Sequence, residues 1–435
     1  MRGGGMIERT VGVFAVVGLV LAGSQSAQIP NDALVQDLQN PSTKTRIKAL
    51  RQLGDAARAD AAVPMAALLL DGNDNVQFEA ISGLLKLYTV RDDLTRRKWG
   101  VGSLATKNQP TTFPESAFEA GPLATIPAAV PAAGVTNLSS VMRQDDSARI
   151  RLSAAYALGV LAAPSMGPLA DVAATEVTNN TVFALSHKDA ATRQVVARVA
   201  GRIFTPAPGA SASVAIGDAL VASMNDPDPL VRRWAIDSLG WLRYDRAVQA
   251  LTDHSSYYGK GEEGAAALHA LARIANPASA PVLRALLANS YTPFRVIAIE
   301  GLGRIGDKTV LPQIAESATS AHEESVTLAE AFARFLLEQP DIVAIADSLE
   351  RPGTGLQARV YLAEIALTRP AAIRPLLKTP NPSTRMMAVQ VLGASRQPSE
   401  VAVLQPLLQD SVPEVVSVTS EAIRRLQAGA AIVTK

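Results

Sequence analysis

Apolar residues recur at intervals of three and four along nearly the whole chain, with polar residues on the opposite side of each turn. In the stretch Asn225–Leu242, Val231, Ala235, Leu239 and Leu242 fall at i, i+4, i+8 and i+11, one face of an amphipathic helix. Asp226-Pro227-Asp228-Pro229 precedes it, offering a turn, an N-cap acid and a proline suited to the first helical position. Apolar runs such as VLRALLANS (Val282–Ser290) and VLQPLLQDS (Val403–Ser411) predict a companion helix for each such stretch.

The pattern repeats. TRIKALRQLG (Thr45–Gly54), IRLSAAYALG (Ile150–Gly159), VRRWAIDSLG (Val231–Gly240), FRVIAIEGLG (Phe294–Gly303) and TRMMAVQVLG (Thr384–Gly393) align, with looser copies at Thr192–Gly201 and Ala358–Leu367. Each carries an arginine seven residues before a Leu or Ala landmark: Arg46, Arg151, Arg193, Arg232, Arg295, Arg359 and Arg385. Landmarks are 31 residues apart from Leu53 to Leu84, Leu271 to Leu302, Leu302 to Ala333 and Leu392 to Ile423. Steps of 32 (Leu239–Leu271) and 33 (Ala333–Ala366) also occur. This periodicity predicts an all-α solenoid of about ten two-helix repeats, each packed mainly on its neighbours.

The units, apolar-x-x-Leu-Leu-x-Asp/Asn followed by x-Arg-x-x-Ala-x-x-x-Leu-Gly, resemble the HEAT-repeat family, in particular the short HEAT-like repeats of the phycobilisome-lyase type. The resemblance spans about Asn31 to Gln427. It implies that the arginines form a structural ladder, the turn acid of one unit bonding the second-helix arginine of a neighbour. Asp145 and Asp146, Asp189, Asp226 and Asp228, and Asn381 stand before four of them. The resemblance brings no activity with it. Iron-binding HEAT hydroxylases use repeated His-Glu pairs, and only His322-Glu323 matches. The spaced glycines of GLGRIG (Gly301–Gly306) read as a helix end within the repeat frame.

Interruptions of the repeat are the candidate functional segments. Leu84 and Leu158 are 74 residues apart, and the excess contains TRRKWG (Thr95–Gly100) and a Pro/Ala-rich run, Asn108–Gly134. Five prolines in that run exclude continuous helix and predict an extended strap over 94–138, with Trp99, Phe113, Phe118 and Ile126 as anchors or contact residues. It is either a partner-binding segment or a structural cover. The polar stretch DHSSYYGKGEEG (Asp253–Gly264) reads as a loop. Tyr257, Tyr258 and Lys260 on it are candidate contact residues, with an ordinary surface loop as the alternative. The resulting organisation is N-terminal repeats over 31–93, the inserted strap over 94–138, the main array over 139–427 and a tail over 428–435.

Composition narrows the function. The 41 basic and 40 acidic residues leave a formal charge of +1, with no basic excess of the kind that nucleic-acid binding requires. No cysteine is present, which removes disulfides, thiolate catalysis and cysteine-ligated metals. Four scattered histidines show no metal-ligand spacing, and no cofactor motif or nucleophile–base pair is evident. Arg2 and Arg9 precede the apolar run Val11–Gly23 and the small residues Ser24 to Ala27, the anatomy of a signal peptide over 1–26. An uncleaved anchor is the alternative, although thirteen helical residues reach only about 20 Å. These features predict a periplasmic or secreted, non-enzymatic scaffold of the bacterial cell envelope whose partner is another protein. The alternative is an accessory subunit of an exported enzyme complex with a small-molecule or glycan pocket. Several buried, pKa-shifted acids or histidines brought together at a pocket would favour the alternative.

Overall fold

A computed structural model describes residues 31–89, 112–121, 125–126, 128–164, 171–206, 209–321, 323–338, 342–395 and 397–433. The predicted signal segment, Trp99 and His322 lie outside them. The described residues form helices connected by short turns, with one isolated antiparallel bridge, Thr89 to Thr125. No helix among them is long and apolar enough to cross a membrane.

The helices come in pairs: α1 (Asn31–Gln36) with α2 (Thr43–Asp55), and α3 (Ala62–Ala67) with α4 (Asp74–Tyr88). After the inserted α5 (Phe113–Glu119) follow α6 (Ala132–Gln144) with α7 (Ala148–Leu161), and α8 (Asp171–Leu185) with α9 (Ala190–Ile203). Next are α10 (Val214–Ser223) with α11 (Pro229–Leu242), α12 (Val248–Tyr258) with α13 (Glu262–Ile274), and α14 (Ala280–Leu286) with α15 (Thr292–Ile305). The array closes with α16 (Leu311–Ala321) and α17 (Glu324–Glu338), α18 (Val343–Ala346) and α19 (Gly355–Thr368), a 3-10 turn and α20 (Pro382–Gly393), then α21 (Glu400–Leu404) and α22 (Pro413–Val433). First helices pack in one layer and second helices in another. Stacking continues across the insertion, α4 resting directly on α7 and α3 on α6.

Local chemistry explains the starts and stops. Asp228 caps α11 by accepting from the Leu230 and Val231 amides, with Pro229 in the first turn. Asn73, Asp189 and Asn381 do the same for α4, α9 and α20. The recurrent Leu-Gly has a different role from the expected one. Gly306 does end α15, at φ +87°, but Gly303 lies inside that helix. A Cβ on Gly303 would sit 2.8 Å from the Ala333 Cα of the next second helix, and one on Gly240 3.0 Å from the Ala270 Cα. These glycines let successive second helices approach backbone to backbone.

Two apolar clusters result. One runs from Leu38 to Leu337 and the other from Leu328 to Leu426. They divide on α17: Val326, Ala329 and Ala333 face the first, whereas Leu328, Phe332 and Phe335 face the second. Phe332 stacks on Tyr361 of α19 at 4.0 Å, so aromatic rings replace the close glycine–alanine contact there.

The insertion is more ordered than a simple extended strap. Thr112 caps α5, and Pro114 is tolerated because it falls in the first turn. Farther on, the Ile126 amide donates to the Tyr88 carbonyl, and α6 already begins at Ala132. Asp253 to Tyr258, expected as loop, are helical, and the turn is confined to Gly259–Gly261.

Candidate functional site

The arginines organise one edge of the solenoid. In Arg46, Arg151, Arg193, Arg232 and Arg385, Nη1 donates to the two carbonyls six and five residues back, in the turn of the arginine's own unit. Nη2, joined by Nε except in Arg151, whose Nε donates to Thr192 Oγ1, then reaches an acidic residue of the following unit: Asp71, Asp189, Asp226, Glu263 and Asp410 are the respective acceptors. Arg193 forks onto Asp226 at 2.7 and 3.0 Å, and Arg385 onto Asp410 at 2.8 and 2.8 Å. The four aspartates also accept from the backbone amide two residues on, as Asp226 does from Asp228, whereas Glu263 meets His254 instead. Each arginine therefore ties its own turn to the next. The arginine hydrogen bonds hold Asp226, Glu263 and Asp410 below the usual carboxylate range. Burial opposes this at Asp189, where Thr192 and Arg151 override it.

Two of the seven arginines do not join. Among the described residues Arg295 reaches only Thr292 Oγ1, at 3.5 Å, and its buried Nε meets no partner there. The turn acid that follows it, Glu323, accepts from Thr292 instead. Arg359 makes no hydrogen bond or ion pair with the described residues, and the next turn offers Thr379-Pro380-Asn381 rather than an acid. Gln77 occupies the arginine position of α4, with its amide bridging the Leu69 carbonyl and Asp145. It stands seven residues before Leu84, and the repeat frame alone could have found it.

The candidate contact residues separate. Tyr257 and Lys260 are exposed at the ladder edge, Tyr257 to 83%. Tyr258 is half-buried, its ring tilted against that of His254 at 4.4 Å and lying 5.9 Å from the Arg232 guanidinium. His254 in turn meets Glu263 at 3.0 Å, so this tyrosine supports the ladder. Phe113 and Phe118 sit elsewhere, on α5, packed against the apolar core.

That second location is the richer one. The residues two before and two after each landmark share a face of the second helix: Tyr156 on α7, then Arg198/Arg202, Asp237/Trp241, His269/Arg273 and Glu300/Arg304 on α9, α11, α13 and α15, and Glu364 on α19. The α5 helix covers the first part. Phe118 lies 5.7 Å from the Tyr156 ring, 5.5 Å from the Arg198 guanidinium and 5.1 Å from that of Arg202. Glu119 pairs with Arg198 at 2.7 Å, Tyr156 donates to Glu115 at 3.2 Å, and Arg202 donates to the Phe118 carbonyl at 2.6 Å. Arg202 meets no carboxylate among the described residues, and burial pushes its guanidinium down to about 10.

At the far end the polar groups neutralise one another. Arg304 forks onto Glu364 at 2.9 and 2.9 Å and reaches Glu300 at 3.2 Å. Glu300 also accepts from Tyr361 at 2.5 Å and Gln357 at 2.9 Å. Burial raises the Tyr361 hydroxyl well above its ordinary range, helped by Glu300. Burial also works to raise Glu364, and Arg304 overrides it. Between the ends, His269 is exposed yet walled by protein, which pushes its imidazole down to about 4. Glu364 and His269 thus share one face with Asp237, whose carboxyl burial raises above its ordinary range. Glu300 and Glu364 are nevertheless occupied by Arg304, Tyr361 and Gln357. No three His, Asp or Glu among the described residues converge as metal ligands. Two open clefts lie away from this network, one of about 710 Å³ lined by Lys44, Lys48, Phe78 and Arg149, another of about 490 Å³ by Arg143, Val172 and Glu176.

Residues 180–257 and 262–333 match the model of HEAT repeats, so the chain carries HEAT repeats over those stretches. No curated protein sequence matches the chain. Among solved structures, an engineered protein is similar at 18% identity over 91% of this chain and 98% of its own, with a TM-score of 0.35. The CpcE–CpcF complex of phycocyanin lyase from Nostoc sp. PCC7120 is similar at 20% identity over 56% and 93%, TM-score 0.39. Importin beta is similar at 14% over 92% and 57%, TM-score 0.36.

Proposed function

We propose that this HEAT-repeat chain is a non-enzymatic scaffold that binds another protein on the face of its second-helix layer. The observation that carries the reading is α5. A short segment outside the repeat frame docks there through two carboxylates, one ring and one carbonyl, the contacts a partner segment would make. The repeat stack supplies a continuous row of such positions, and stability accumulated between neighbours leaves that row free for recognition. The paired state of Glu300 and Glu364 supports binding over catalysis, since each is already committed to arginine and neither is free to shuttle a proton.

The proposal places the scaffold in the bacterial cell envelope, on the strength of the N-terminal pattern of Arg2, Arg9 and Val11–Gly23. The test is affinity capture of the full chain from its host with paired glutamates at Trp241 and His269, or at Val63 and Val172 of the first-helix layer. Both layers offer exposed positions there. The reading expects the captured partner to be lost with the first pair and kept with the second. Loss with Val63 and Val172 only, or with neither pair, overturns it.

A further inference from the structure

The face on which α5 lies continues onto α11 and α13, where no other described segment is docked. Trp241 is 49% exposed, and the Arg273 guanidinium lies 4.4 Å from its ring centroid. Arg273 makes no hydrogen bond or ion pair with the described residues. The charges that act on it at longer range are Asp237 of α11, Arg304 and Glu300 of α15, and Glu364 of α19. Glu300 and Glu364 are bound to Arg304. Asp237 lies beyond ion-pairing distance. Arg273 is therefore a guanidinium with one face on an indole and its donors unmatched by a carboxylate. His269, four residues before it on α13, is exposed beside it. The guanidinium fork is built to take a carboxylate through two parallel N–H···O bonds.

The neighbouring repeats show what such a place accepts. On Arg198 and Arg202 the chain has laid FPESAFE (Phe113–Glu119), with Glu119 on one arginine and the Phe118 ring against both. Trp241 and Arg273 offer the same two elements, an aromatic surface and a cation, one and two second helices farther along. Trp241 is exposed, and Arg273, half-buried against it, carries no described segment of the kind that α5 lays on Arg198 and Arg202.

We infer that Trp241, His269 and Arg273 form a docking site for an acidic segment of a partner protein, with a carboxylate on Arg273 and an adjacent apolar or aromatic side chain on Trp241. The inference rests on the reading of this face as the binding surface and adds the partner's chemistry. Because the Arg273 guanidinium lies 4.4 Å from the Trp241 ring, a fitting segment carries its acidic residue and its apolar or aromatic residue close together, as Phe118 and Glu119 stand side by side in α5.

The test uses the full chain with Trp99→Phe and Trp234→Phe, which leaves Trp241 as the sole indole of three. The probe is the peptide TFPESAFEAG, the sequence of residues 112–121, beside a version with glutamine at both glutamates. The expected result is a saturable change in Trp241 fluorescence, weakened at least tenfold by Arg273→Gln and at least tenfold by the glutamine peptide. Arg273→Lys, which keeps the charge and loses the fork, should fall between. Unchanged far-UV circular dichroism and urea midpoint would show that the variants fold. No saturation up to millimolar peptide, equal affinity in Arg273→Gln, or loss in Arg202→Gln with Arg273 intact each overturns the inference. The last would mean that the peptide had exchanged with α5. If the peptide fails while the capture experiment still maps a partner to Trp241 and His269, the scaffold reading survives and the acidic partner does not.

Discussion

Removing one ladder arginine should cost far more than removing an arginine in the same repeat position that lacks a partner. Arg193 makes a fork to Asp226 and two further bonds to the His187 and Lys188 carbonyls. Both charged side chains are largely buried, at 13% and 10% exposure. Net worth is about 1.5–3 kcal/mol for a hydrogen bond to a charged group, and breaking a buried pair costs about 3–5 kcal/mol. Residual solvent access places Arg193→Ala at the lower end, about 3 kcal/mol. Arg193→Gln should cost about half as much, because Gln77 shows that an amide can bridge a turn carbonyl and the next acid. Arg359→Ala should stay within about 0.5 kcal/mol, as for a position away from such features. Urea unfolding gives the global values. Because repeats can open locally, hydrogen exchange over α8–α11 gives the local one. Equal losses for Arg193→Ala and Arg359→Ala would refute the ladder as an energetic device.

Three further outcomes follow from the packing and the charges. Gly303→Val places a side chain 2.8 Å from the Ala333 backbone, so it should cost about 3 kcal/mol, the upper range for overpacking, and loosen exchange in α15 and α17 first; a wild-type urea midpoint would sink this. Ala275 holds φ +58° at the end of α13, and Ala275→Gly should raise stability by about 0.5–1 kcal/mol, seen as a higher urea midpoint. Asp189, Asp226, Glu263 and Asp410 titrate below their ordinary range when folded. The unfolded chain then binds more protons near pH 4, so their contribution is full above that value and lost as pH falls through the lowered folded values. Burial depresses His254 as well, so it should add a decline starting near pH 6.5, its unfolded value. A urea midpoint flat from pH 7 to pH 3 would contradict both.

The repeat frame made the helical pairs legible because its signal is local: an apolar stripe, a capping acid and a small residue at a fixed offset. What it hid depends on partners in other units. Arg295 and Arg359 look like Arg193 in sequence, but the acid that would meet each must come from the next turn, and there it is diverted to Thr292 or absent. The glycine of Leu-Gly reads as a helix stop until the Ala333 or Ala270 backbone is seen against it. Prolines in the insertion announced a break in helix, yet Pro114 sits where a helix tolerates it, so α5 was concealed. The row from Tyr156 to Glu364 was available in the same frame. Its residue types change from repeat to repeat, and only stacking makes them neighbours.

The most direct test of the account is photo-crosslinking in the host, with a benzoyl-phenylalanine placed singly at Trp241, His269, Val63 or Val172. Binding on the second-helix face predicts one protein adduct from Trp241 and His269 and none from Val63 and Val172. The same adduct from Val63 and Val172 with none from Trp241 and His269 would contradict it.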